Sequence, residues 1–292
     1  MKNLAFITLL SALCLNRQNV SAQPTFSETA LYKVAYKFIY SYDTTDFSKK
    51  SVENMNLYIG PSSSVYRYAE FESYQKESSR MREEYKTMLK TGDRSKPLSH
   101  SANFRRSSPT ELFKKNMDNK LYRKEVLVGM EYVIEDILPN IKWDILPETK
   151  MFGALKGQMA KGRFRGRDYT AWFTIQYPIS AGPWKLSGLP GIILEAYDDK
   201  KEVVFEFAAF EVAKKEGPTL ITLASNYIRI KQTEFDKLQK FAREDIAGFV
   251  TSRQAQQGIS VTLDGKSLET VYNSKPRSKV EKSPINNKIE KQ

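Results

Sequence analysis

Four basic residues share one parity over a short stretch: Lys161, Arg163, Arg165 and Arg167. On one continuous strand, alternate side chains line one face. Such a strip would hold an acidic ligand: a lipid headgroup, a phosphate or a uronic acid. Gly162 and Gly166 interleave with it, and glycines turn or bulge a strand, so a solvated hairpin tip is the alternative. Glu195, Asp198 and Asp199 suggest a cation site, but calcium takes six or more oxygens, usually on a glycine-containing loop. Asp198-Asp199-Lys200 reads instead as a hairpin turn. Carboxylates cluster at Arg82-Glu83-Glu84 and from Glu131 to Asp136. Glycoside hydrolysis needs two of them facing across a cleft, which spacing does not place. His100 is the single histidine, in a polar loop where no motif supplies a nucleophile or carboxylate partner. Gly-x-Ser-x-Gly, His-Glu-x-x-His and phosphate-loop motifs are missing. The sequence therefore specifies no catalytic set, no metal site and no cofactor.

The chain has 292 residues and a net charge of +12. Sixteen Tyr, 16 Phe and 3 Trp exclude a chain disordered throughout, which would be poor in aromatics. No run of about 20 apolar residues suits a spanning helix. One Cys and one His exclude a disulfide framework and most zinc or copper sites. Met1-Lys2-Asn3, then the apolar Leu4 to Leu15, then Val20-Ser21-Ala22 form the three regions of a secretory signal, cut between Ala22 and Gln23. Cys14 has Leu13 before it and Ser11 three before, the wrong order for a lipoprotein signal, and it leaves with residues 1–22. From Ser274 the chain is basic and nearly devoid of apolar residues, which reads as a disordered tail over 274–292. The charge left on the remainder is too modest for a nucleic-acid binder.

Between signal and tail, residues 23–273 read as one β-rich domain. Leu31 to Tyr42 alternates with period two, as a long strand does. Glu53 to Ile59 and Ser64 to Phe71 repeat the pattern around a break at Gly60-Pro61. Glu72 to Leu89 is charged, with apolar residues near helical spacing, and predicts a peripheral amphipathic helix. Lys120 to Ile137 returns to β patterning, and Ile141 to Leu146, Met151 to Ala160, Arg167 to Pro178, Lys185 to Tyr197, Glu202 to Phe210 and Leu220 to Ile230 are strand-like. A second helix starts at Thr233, with Thr233 and Asp236 as a shortened capping box. Its apolar face (Phe235, Leu238, Phe241, Ala242, Ile246, Phe249) runs to about Gln256. It would cover the sheet or plug its concave side.

One motif is more specific. Gly182-Pro183-Trp184-Lys185-Leu186-Ser187-Gly188-Leu189-Pro190-Gly191 is a set of backbone instructions. Pro190 fixes its own φ and pushes Leu189 extended. Gly191 is free to take a positive φ, which predicts a type II turn at Leu189-Pro190-Gly191-Ile192. The glycines also admit close approach of another backbone or of a ring such as Trp184 or Trp172. Around the motif lie Trp143, Pro147-Glu148-Thr149-Lys150, Ala160, Phe164-Arg165-Gly166-Arg167, Ala171-Trp172-Phe173-Thr174, Pro178-Ile179-Ser180 and then Ile192-Ile193-Leu194. This order and spacing resembles the GLPGLI family of secreted Bacteroidota proteins, most sharply over 143–198. Ile192 stands where that family's name has Leu, and Gly157 stands where members often carry Cys. The resemblance implies a Gram-negative envelope or secreted location and no established activity.

The expectation is a mainly β (α+β) fold: a curved antiparallel sheet or half-barrel, a peripheral helix and a C-terminal covering helix. Gly182, Pro183, Gly188, Leu189, Pro190 and Gly191 are assigned a structural role. The expected function is non-enzymatic, an envelope accessory in the periplasm, at the outer-membrane surface or outside the cell. Its partner would be an outer-membrane transporter or envelope protein, or a lipid or acidic ligand, and not a nucleic acid. The alternatives are an envelope hydrolase with a carboxylate pair and a structural or adhesive surface protein. A carrier predicts a cavity walled by the Tyr/Phe strands.

Overall fold

The computed structural model describes residues 26–41, 43, 46–91, 110–127, 130–213, 219–225, 227–245, 248–249, 252, 262–263 and 266–267. The expected signal with its Ala22–Gln23 cleavage point, the expected His100 loop and the expected basic tail lie outside the described residues. The described fold is mainly β with two helices. In chain order the first strands are β1 (Phe26–Thr29), β2 (Tyr32–Ser41), β3 (Lys50–Ile59) and β4 (Ser63–Tyr68). Helix α1 (Phe71–Thr91) follows, then β5 (Glu111–Lys115), β6 (Lys120–Leu127) and β7 (Met130–Ile137). Next come β8 (Trp143–Phe152), β9 (Leu155–Phe164), β10 (Arg167–Thr174), β11 (Ile192–Asp198) and β12 (Val203–Val212). The chain continues through β13 (Leu220–Leu223), β14 (Ile228–Ile230), α2 (Gln232–Glu244), β15 (Thr262–Leu263) and β16 (Lys266–Ser267).

Twelve strands form one sheet in the order β14-β7-β6-β5-β4-β3-β2-β12-β11-β10-β9-β8. Two antiparallel meanders, β2–β7 and β8–β12, meet where β2 pairs with β12. The sheet is open, since no pairing joins its two edge strands. It is not flat. Ten strand steps separate β7 from β8, or about 48 Å across a flat sheet. Residues 138–142 bridge Ile137 to Trp143, a reach of at most about 23 Å. The sheet must therefore bend to bring its ends together.

The period-two pattern gives the sheet two faces. Val34, Tyr36, Phe38, Met55, Leu57, Tyr66, Leu112, Leu121 and Phe205 belong to the large core on the concave face. Tyr58, Val65, Phe113, Tyr122 and Val133 point the other way and pack under β1 and β13, which pair as a separate small sheet. That outer face also buries a charge network. Arg67 meets Glu111 at 3.2 Å and Glu72, at the start of α1, at 2.9 Å, and Lys124 meets Glu111 at 3.3 Å. Burial raises the Glu111 pKa, with Lys124 and Arg67 opposing the shift.

Several expected elements divide. The β patterning of Lys120 to Ile137 is two strands folded as a hairpin. Leu220 to Ile230 splits between the small sheet and a parallel pairing of β14 with β7. β8 runs straight through Pro147, with an irregular register between Ile145 and Thr149; edge strands tolerate proline. The expected strand from Lys185 starts only at Ile192. The helix cap also differs: Lys231 is the N-cap residue, and its backbone N–H donates to the Glu234 side chain at 3.3 Å. The regular part of α2 ends at Glu244, with Phe235 buried against Tyr132 of β7.

Residues 175–191 lie over one end of the concave face. Lys114 of β5 donates to Gly182 O at 2.6 Å and Leu186 O at 2.8 Å. Asn116 donates to Ser180 O at 2.7 Å, the Trp143 indole to Ser187 O at 2.8 Å and the Tyr36 hydroxyl to Ile193 O at 2.5 Å. Lys114, Asn116 and Trp143 thereby satisfy loop carbonyls that no strand pairs, while Tyr36 ties down the start of β11. The expected type II turn at Gly191 is absent: positive φ occurs at Gly188 (+95°) and not at Gly191. Gly191 is required for another reason. A Cβ there would lie 2.0 Å from the Thr174 carbonyl oxygen, so this glycine lets two backbones touch. Gly191→Ala is expected to cost about 1–3 kcal/mol of stability as overpacking, read as a lower urea midpoint. An unchanged midpoint would rule out the close approach. Gly157 sits under a ring in the same manner: a Cβ would lie 2.7 Å from Phe152 Cε2, so a Cys here requires Phe152 to move.

Candidate functional site

The bent sheet leaves a groove of about 910 Å3 on its concave side, beside the 175–191 loop. Its floor comes from alternate residues of neighbouring strands. Phe205, Phe38 and Glu53 are consecutive cross-strand partners from β12, β2 and β3. Met55, Tyr68 and Thr110 lie along the next strands, as do Tyr66, Leu112 and Arg123. Helix α2 forms the far wall with Gln232, Asp236, Gln239 and Arg243. The near wall is Trp184 and Lys185 of the loop, and Arg165 reaches in from the β9–β10 turn.

The polar groups are held in place. Glu53 accepts from the Tyr68 hydroxyl at 2.7 Å and from Tyr40 at 3.3 Å. Burial raises both phenol pKa values, and the Glu53 charge adds to each shift. Both oxygens of Glu53 are thus fixed by protonated phenols. Glu125 accepts from Thr110 at 2.8 Å and lies 3.1 Å from the Arg123 guanidinium. Arg123 donates to Gln232 at 2.6 Å, tying the floor to α2, and Gln232 donates to Asp236 at 2.7 Å. The Tyr66 hydroxyl is buried without a partner among the described residues, and burial pushes its pKa well up.

Two walls rest on unusual backbone. Trp184 has φ +48° and Arg165 has φ +50°. Arg165 shares this with Gly166 (+71°), as the tight turn between paired strands requires. Trp184 has no such excuse. A bulky residue in the left-handed region is a true outlier, and such strain persists only where the surroundings over-determine it. Here the loop carbonyls on either side of Trp184 are gripped by Lys114. The indole stacks on Phe205 (6.4 Å, 18°) and meets Phe164 edge-on at 5.7 Å.

The basic strip of the sequence is not one surface. Lys161 and Arg163 are on β9 and exposed, and Arg163 pairs with Asp168 at 3.2 Å. Arg165 is in the turn, and Arg167 begins β10 opposite Phe164. Arg167 is buried and meets Asp198 and Glu202, each at 2.6 Å. Glycine turned the strand, so only Arg165 reaches the groove. The acidic trio likewise disperses: Asp198 binds Arg167, and Glu195 pairs with Lys150 at 2.9 Å. Among the described residues no cluster of three metal-ligating side chains occurs. Of the motif Gly182, Pro183, Gly188, Leu189, Pro190 and Gly191, Leu189 is buried in the main core, while the neighbouring Trp184 and Lys185 face the groove. Sequence reasoning missed Glu53, Tyr68 and Arg123. Their signal was parity: each occupies the strand face that also carries core residues.

A family model described as a protein of unknown function (Porph_ging) matches residues 143–195. This covers β8 to β10, the loop and the first part of β11, within the stretch that resembles the GLPGLI family. No curated protein matches the chain. Two crystal structures of PNGF-II, in space groups P21 and C2, are similar over 71% of this chain at 9% and 10% identity, each with a TM-score of 0.48. This chain covers 32% of those chains.

Proposed function

We propose that this chain is a non-enzymatic binding protein of the cell envelope, a GLPGLI-type member, whose ligand lies in the concave groove against Trp184. The observation that carries this reading is the strained Trp184, clamped by Lys114 and stacked on Phe205 beside an open groove. A groove of about 910 Å3 with mixed apolar and polar walls matches the size of small-molecule sites. Glu53 and Glu125 both face it, yet each already accepts from fixed donors. That arrangement suits recognition better than proton transfer, which needs a carboxyl poised to give or take a proton.

The test is native mass spectrometry on protein purified from the periplasm of an envelope-competent host. The wild type is expected to carry an added small-molecule mass, and Trp184→Ala to lose it with its fold intact by circular dichroism. A clean apo mass for the wild type, or an adduct retained by Trp184→Ala, overturns the groove reading.

A further inference from the structure

We infer that the groove is a carbohydrate site that takes a neutral oligosaccharide; this rests on the groove being the binding site. Charge is the first argument. Four carboxylates and four cationic side chains line the groove, so it offers no net field to an anion or a cation. An acyl chain would take water from those eight groups and offer them no hydrogen bond in return, which is costly for charged side chains. A sugar has the opposite character. Each hydroxyl both donates and accepts, so neighbouring hydroxyls engage a carboxylate and a guanidinium side by side. Glu125 and Arg123, 3.1 Å apart, present that pair.

The second argument is shape. The axial C–H faces of a pyranose are apolar and lie flat on an aromatic ring, whose face is electron-rich. Trp184 and Tyr68 supply rings on the groove wall and floor. Their immobility matters because ordering of side chains at a site opposes binding. Trp184 is locked by its backbone and by Phe205, and Tyr68 by its bond to Glu53. Glu53 thus acts as a positioning residue for Tyr68, and the platform stands before the ligand arrives.

The test is an array of neutral and acidic oligosaccharides probed with the periplasmically purified protein. Alongside it, the protein is titrated with dansyl-undecanoate, phosphatidylglycerol vesicles and a random hexapeptide pool. We expect neutral oligosaccharides to bind at least tenfold more tightly than sulfated or sialylated ones or the vesicles. We expect Trp184→Ala and Glu53→Gln each to weaken that binding tenfold or more without lowering the melting temperature. Should Trp184→Ala misfold, Trp184→Phe and Glu53→Gln carry the test. Binding of the fatty acid or peptides but no sugar, abolished by Trp184→Ala, overturns the carbohydrate inference and leaves the groove reading standing. Preference for acidic sugars, or sugar binding indifferent to both variants, also overturns it. Binding of no probe at all overturns the inference and the groove reading together.

Discussion

Arg167→Ala is expected to remove about 3–5 kcal/mol of folding stability, the usual loss when one member of a buried ion group is deleted. The side chain of Arg167 is 1% exposed, and its guanidinium meets Asp198 and Glu202 at 2.6 Å. Asp198 also accepts from the Val203 amide at 2.8 Å, so the triad fixes the β11–β12 turn to the start of β10. Without the arginine, two buried carboxylates lose the cation they share. They would have to protonate, draw in water or open the turn. Urea unfolding at neutral pH measures the loss. Repeating it near pH 4, where carboxyl groups protonate more readily, should shrink the gap between variant and wild type. Equal stability of the two proteins at pH 7 would show that the triad contributes nothing net.

The second large effect is a dependence of stability on alkaline pH. Lys114 is fully buried and has two carbonyl acceptors, Gly182 O and Leu186 O. A neutral amine has two N–H groups, one for each; an ammonium ion has a third. Burial pushes the Lys114 pKa down to about 7 from 10.5. In the unfolded chain the amine stays protonated to near 10.5, whereas in the fold it releases its proton near 7. Between those pH values the unfolded chain binds more protons, so stability rises as pH rises, by up to about 1.4 kcal/mol per pH unit. Below about pH 7 both states are protonated and the contribution is flat. The measurement is the urea midpoint from pH 6 to 10 for the wild type and Lys114→Met. The variant should lack this rise, and parallel curves would mean that Lys114 remains charged in the fold.

Sequence and structure agree best where a pattern is local. The alternation from Leu31 to Tyr42 is β2 almost to the residue, because each side chain on one parity meets a packed face. Agreement fails where a residue's role depends on distant partners. Lys114 lies among Leu112, Phe113 and Lys115, where nothing marks one lysine as buried. Its burial is decided by loop carbonyls some 70 residues away. Arg167 looked like a ligand-binding residue because parity was counted through a turn. The strand expected from Lys185 is a loop as far as Gly191 because Gly182-Pro183 and Gly188 to Gly191 interrupt pairing, and side chains from β5 and β8 take up its carbonyls. The groove itself was not legible. Its floor draws one or two residues from each of β2 to β7 and β12, each unremarkable in its own strand, and only the bend of the sheet assembles them.

The seam between β2 and β12 has a kinetic consequence. It pairs Tyr32 with Val212 and Tyr40 with Val203, so the centre of the sheet is its least local contact. Each meander can form from neighbours in the chain, but the two cannot join until the chain through Val212 is present. Contacts of such long sequence separation slow folding, because loop entropy is lost before the pairing is gained. Until the seam closes, β2 and β12 are both bare edges, rich in Tyr and Phe and open to strand addition from another molecule. Delay at this one step, rather than weakness of the finished sheet, is where the nascent protein is most exposed to aggregation.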